Sequence, residues 1–304
     1  MQTVSDFRTA ALAASSRLPV FPVALRRALG LLARGDDVSV QQLALVIESD
    51  VVLAAKIVAI ANSALYARGN QVTSLPRAIA RIGIQKTQNA LLAVSVGRMF
   101  HTVQLPGGWP ATRFNAHSLA TAILSDLIVR ALPAVDPEWA FLSGLFHDIG
   151  LLLLAAGLPD EFAALSKAYA QAQAETSVWV ASERQLLGFS HFELGADLLA
   201  RWNFAPCVRN AVRECEEARF PFPEPLSLAS VATMASQLAD AKGISVFPPP
   251  QAQAPDSGAP KEPESPRPDP MEDLLGIMKV SDPALFIKSF DMEFSELLNS
   301  FSNR

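Results

Sequence analysis

Before residue 245 the apolar side chains recur at spacings of three and four almost without interruption, and no stretch alternates apolar with polar residues between turn signals. A repeat near 3.6 residues puts apolar groups on one face of a helix, whereas a half-buried strand needs a repeat of two. The pattern therefore predicts an all-α fold. Half of the 304 residues are apolar, enough to bury a full core.

Helices are expected near 5–15, 22–33, 39–48, 50–61, 75–82 and 84–99. A second series follows near 111–131, 137–156, 160–173, 176–187, 191–202, 206–217 and 226–241. Ser39 with Gln42 and Ser190 with Glu193 have capping-box spacing, and Asp136-Pro137 and Asp282-Pro283 place a cap before a first-turn proline. Leu105-Pro106-Gly107-Gly108 cannot continue a helix and marks a boundary. The expected organisation is a helical subdomain at 1–105, a second at 106–245, a linker at 246–270 and a tail at 271–304. Residues 248 to 270 hold nine of the 22 prolines and almost no large apolar group, a composition that reads as extended and disordered.

The tail is acidic, with nine acids against five bases over residues 261 to 304, and it carries most of the net charge of -5. Phe290, Phe294, Leu297, Leu298 and Phe301 share one helical stripe there. That stripe either folds back onto its own domain or grips a partner, a second copy of the chain included. No general basic field exists to attract nucleic acid. The apolar runs, such as 151 to 156, are short of the ~20 residues that cross a bilayer, and no charged-then-apolar leader opens the chain. A cytoplasmic location without membrane contact is expected. Cys207 and Cys215 lie about 12 Å apart along one expected helix and cannot bridge.

Four histidines are present. His147 and Asp148 stand together in the apolar frame Gly144-Leu145-Phe146-His147-Asp148-Ile149-Gly150, expected within one helix. Burying such a pair requires mutual pairing, hydrogen bonds or a metal ion. His117 lies thirty residues earlier on the preceding long helix, where antiparallel packing brings it to the doublet. Two imidazoles and one carboxylate fall one ligand short of a hydrolytic metal site, which also needs an open position for water. His191, in a first helical turn, is expected to face solvent, and His101 to lie at the surface near a helix end. Asn62 and Ser63 read as a helix terminus. Arg77, Arg81, Lys86 and Arg98 read as a solvated basic face, or else as contacts for a phosphate or an acidic partner. No Gly-rich phosphate loop, Cys-x-x-Cys pair or nucleophile elbow is present.

The run Phe141-Leu142-Ser143-Gly144-Leu145-Phe146-His147-Asp148-Ile149-Gly150 resembles the signature of the HD superfamily of metal-dependent phosphohydrolases. Leu18-Pro19-Val20-Phe21-Pro22, Ile47-Glu48-Ser49-Asp50, Ala61-Asn62-Ser63-Ala64-Leu65-Tyr66 and the stretch from Val72-Thr73-Ser74-Leu75-Pro76 to Arg81-Ile82-Gly83 narrow the resemblance to the HDOD family, in matching order over about residues 17 to 240. The resemblance implies an amino-terminal helical bundle packed on an HD-like bundle, and a role in bacterial signal transduction, usually without demonstrated catalysis. It assigns His117, His147 and Asp148 to the first three ligands of an HD centre. It places Ser236 where the fourth ligand, an aspartate, usually stands, with Asp240 one turn beyond. Leu151 replaces a lysine of active relatives, Glu214-Cys215-Glu216 replaces further histidines of the cyclic-dinucleotide hydrolases, and the glycine-tyrosine-proline motif of that class is absent.

The expected function is accordingly a non-catalytic output or scaffold module that binds a signalling protein and needs no cofactor. The alternatives are a phosphohydrolase for nucleotides or cyclic dinucleotides using Fe, Mn or Zn, and a nucleotide sensor that binds in the same pocket without turnover.

Overall fold

The computed structural model describes residues 3–18, 27, 30–31, 38–67, 69–103, 105, 109–171, 176–247 and 270–302. Most of the helix expected at 22–33, the break at 106–108, nearly all of the proline-rich linker and the side chains of His101 and Phe301 lie outside the described residues. The described chain is helical throughout, and its one β-type pairing is an isolated bridge between Ala134 and Leu226.

The helices are α1 (Val4–Ala13), α2 (Val40–Glu48), α3 (Val51–Ala61), α4 (Leu75–Ile82), α5 (Ile84–Thr102), α6 (Ala111–Ala131), α7 (Ala140–Phe146), α8 (Ile149–Gly157), α9 (Pro159–Gln171), α10 (Thr176–Leu187), α11 (His191–Arg201), α12 (Pro206–Glu214), α13 (Leu228–Ala241), α14 (Pro270–Ile277) and α15 (Pro283–Ser302). Local chemistry sets many of their starts. Ser39 and Gln42 form a reciprocal capping box, and the Asp50 carboxylate accepts from the N–H groups of Val52 and Leu53. Asp282 accepts from Leu285 N–H at 3.0 Å. Asp136 departs from expectation: its backbone is left-handed at φ 51°, its side chain caps nothing, and Pro137 opens a 3-10 turn instead of an α-helix. Asn62 ends α3 as expected, and its side-chain amide exchanges hydrogen bonds with the backbone of Val72 at 2.7 and 2.8 Å.

Helices α2 to α5 pack together as one layer, and α6, α7 and α13 form the centre of the other, with α8, α11 and α12 around them. The division near residue 105 does not divide the core. A single apolar cluster runs from Leu53 and Leu91 through Leu124 and Leu152 to Phe290. The α1 helix crosses to the second half and packs on α8 and α11. The α15 helix lies against α3, α5 and α6, spanning both halves.

The tail stripe thus faces its own domain. Phe290 and Leu297 are buried, and Phe294 and Leu298 pack against the same cluster. These four side chains, offered by the sequence as partner contacts, are committed to the fold while α15 is docked. The basic face is also more engaged than expected: Lys86 is held between Asp126, at 3.2 Å, and Glu293 of α15, while Arg81 donates to the Asn70 carbonyl and Arg98 to Asp50. Arg77 remains exposed.

Among the described residues one run, Pro137–Gly157, is long and apolar enough to cross a membrane, but 89% of its most apolar stretch is buried inside the fold.

Candidate metal centre

The helix expected over 137–156 is broken where its polar residues sit. α7 ends at Phe146, His147 and Asp148 form a turn, and α8 begins at Ile149. Packing is close on both sides of the break. A Cβ on Gly144 would lie 2.4 Å from Ser125 Oγ and 2.7 Å from the Thr121 carbonyl of α6. A Cβ on Gly150 would lie 1.9 Å from the His191 carbonyl of α11. The two glycines let the doublet be pressed between α6 and α11, so that His147 and Asp148 are buried at 2% and 5% exposure.

The structure brings His117, His147 and Asp148 together, with one ligand atom from each inside 4.8 Å of the others. Backbone carbonyls orient both rings. His117 Nδ1 lies 2.6 Å from the Ile244 carbonyl and His147 Nδ1 lies 2.8 Å from the Gly144 carbonyl. A carbonyl only accepts, so each Nδ1 carries the proton. Both Nε2 atoms then face each other across 3.2 Å, with Asp148 Oδ2 at 3.3 Å from one and 3.7 Å from the other. Three acceptors converging in a buried space repel one another unless a proton or a cation lies among them. The donor set therefore suits a borderline divalent ion, and the carbonyl contacts supply the outer support that metal-ligating histidines need.

Ser236 of α13 stands with its hydroxyl 3.3 Å from His117 Nε2. Asp240, one turn on, lies 3.6 Å from His117 Nδ1, the edge turned away from the cluster, and burial raises its pKa above the ordinary carboxylate value. A cavity of about 270 Å³ opens beside the three residues; Trp179 and Phe192 line it, as do the exposed side chains of Arg219 and Gln237.

His191 overturns the expectation of a solvent-facing first turn. It is fully buried, with its Nδ1 at 2.8 and 2.9 Å from the two oxygens of Glu183 and its Nε2 at 3.4 Å from Asp148 Oδ1. Glu183 also accepts from the His191 backbone N–H at 2.8 Å and from the Tyr169 hydroxyl. Glu183 carried the signal that would have found this site: it falls on the same stripe of α10 as Trp179 and Leu187, and a carboxylate on an apolar stripe demands a buried partner.

Burial opposes charge on these groups, and their mutual attraction overcomes it. Asp148 is held well below the usual carboxylate range by His147 and His191. His147 is raised by Asp148 against the effect of burial. His191 is pushed up to about 10, burial being outweighed by Glu183 and Asp148. The cysteines stay free, and burial raises the Cys215 thiol to about 12.

The HDOD domain profile matches residues 18–218, about two thirds of the chain. The chain belongs to the HDOD domain family. An HDOD protein of unknown function from Geobacter sulfurreducens has the same fold, with a TM-score of 0.69 at 21% identity over 99% of this chain and 98% of that one. A candidate phosphohydrolase from Shewanella amazonensis SB2B superposes with a TM-score of 0.66 at 23% identity, covering 96% of this chain and 98% of the other. By sequence, an uncharacterised protein of Treponema pallidum (strain Nichols) is 24% identical over 182 residues, 58% of this chain. The HDOD chain described above spans about a third of that relative's length, 33%.

Proposed function

We propose that this HDOD chain is a signal-transduction module that acts by binding and not by hydrolysis, its HD-type centre reduced to three ligands. The observation that supports this reading is the Ser236 hydroxyl, 3.3 Å from His117 Nε2, at the position where the family resemblance expects a fourth, anionic ligand. Ligand number and charge set the affinity for a hard divalent ion, so a carboxylate replaced by a hydroxyl weakens the site. His117, His147 and Asp148 would hold Fe, Mn or Zn, and such an ion would polarise a phosphoryl oxygen. The partner is a signalling protein, with self-association as the competing arrangement. A second reading, nucleotide sensing without turnover, draws on the cavity beside the cluster and its Arg219 side chain.

The test is elemental mass spectrometry on protein purified without chelator, followed by phosphatase and phosphodiesterase assays after Mn²⁺ loading. Nucleoside phosphates and cyclic dinucleotides serve as substrates, and a His147→Ala, Asp148→Ala double variant as control. The expected results are substoichiometric metal, no turnover above the control, and stronger metal retention in Ser236→Asp. Turnover in the wild type that the double variant loses would replace this reading with a phosphohydrolase.

A further inference from the structure

Asp148 offers its two carboxylate oxygens to different neighbours. Oδ2 faces His117 and His147, while Oδ1 faces His191 alone of the histidines. His191 has no freedom to turn. Its ring Nδ1 and its backbone N–H both bond to Glu183, and Tyr169 anchors the same carboxylate from α9. Four helical segments, α9, α10, α11 and the α7–α8 turn, are tied through this chain of contacts, and all four of its side chains are buried.

We propose that Glu183 and His191 are positioning residues for Asp148, presenting Oδ2 alone to a cation, so that the centre holds one ion and not a carboxylate-bridged pair. This rests on the cation reading of the His117, His147 and Asp148 cluster. A second ion at Oδ1 would find His191 and no third His, Cys, Asp or Glu: among the described residues, the three-residue cluster is the one group of three or more such side chains close enough to share an ion. Two protein ligands do not make a stable divalent site, whereas Glu183 gives the His191 ring a fixed partner on its far side. The Glu183–His191 pair therefore fills the side of Asp148 that a bridging ion would need. Losing it leaves the Asp148 carboxylate free to rotate, and both oxygens then compete for the place of one.

Titration of the full-length chain with Co²⁺, followed by calorimetry and by visible d–d absorption, tests the assignment. One equivalent is expected in the wild type. Glu183→Gln should weaken binding about 10- to 100-fold and shift the absorption bands, with partial recovery in Glu183→Asp. Should Glu183→Gln not fold, Tyr169→Phe removes one anchor of the same carboxylate and should give a smaller shift in the same direction. Two equivalents in the wild type, the second lost in His191→Gln, would overturn the proposal, as would unchanged affinity and spectrum in Glu183→Gln. A wild type that takes up no Co²⁺ would sink the cation reading separately. Positioning is then decided by a double-mutant cycle on unfolding between Glu183→Gln and Asp148→Asn. Coupling of about threefold or more in the equilibrium constant keeps it, and additivity overturns it.

Discussion

A carboxylate flanked by imidazoles on both sides keeps its charge even inside an apolar core, and the imidazoles keep theirs in return. Asp148 is depressed and His191 raised, so their contributions to stability run in opposite directions with pH. For His191, whose ordinary pKa is about 6.5, the stabilisation is complete below that value and is lost as pH rises towards about 10. For Asp148 it is present above the ordinary carboxylate value and lost as acid protonates the folded state. Thermal unfolding followed from pH 6.5 to 10 should show a decline that His191→Gln flattens; parallel profiles for the two proteins would refute the pairing. The thiols give a second check at this scale. At pH 8 a disulfide reagent should modify Cys207 in the folded protein and reach Cys215 only after denaturant is added, because Cys215 is buried and its thiol is raised to about 12. Of the four histidines, the sequence brought two to the cluster: His147 through its apolar frame and His117 through its place on the preceding long helix; the side chain of His101 lies outside the described residues. The sequence misplaced His191, because first-turn position describes exposure on an isolated helix and knows nothing of the helix that passes beneath.

At the level of elements, the turn at His147 and Asp148 divides a stretch that local preference reads as one helix. Residues 137 to 156 read as one helix in the sequence, whereas the turn falls between two glycines that pack closely on α6 and α11. Gly150→Ala should therefore destabilise by about 1–3 kcal/mol or more, since its methyl group would meet the His191 carbonyl and not a yielding side chain. Gly276→Ala is the contrasting change: it meets nothing within 4 Å, and should be neutral or stabilising by about 0.4–1 kcal/mol. Equal effects of the two in urea unfolding would contradict the packing account. Starts governed by a side chain and its own next turn, such as Ser39 with Gln42, were readable from sequence alone. Asp136 was not, because its left-handed backbone belongs to the loop that meets Leu226.

Taken whole, the described fold is closed by α1 and α15. α1 sits on the second half, and α15 lies across the junction, where Phe290 is 1% exposed and Glu293 meets Lys86. Phe290→Ala should cost roughly 3–5 kcal/mol of unfolding free energy. A chain ending at residue 247 should unfold at lower temperature and bind a hydrophobic dye; an unchanged melting temperature would show that α15 adds nothing to the core. The all-α class and the amphipathic stripe of the tail were legible as periodicity. The groove that receives the stripe was not, because α3, α5 and α6 each show one wall of it and their assembly belongs to no single segment. The distance between groove and stripe along the chain has a consequence for biosynthesis. Lys86 and Glu293 are 207 residues apart. At about 5–20 residues per second, a ribosome needs on the order of 10–40 s to make the second after the first. From the completion of α6 at residue 131 until α15 is made, the nascent chain displays an open apolar channel with a cation at its edge, which makes it a client for chaperones until its own helix arrives to fill it.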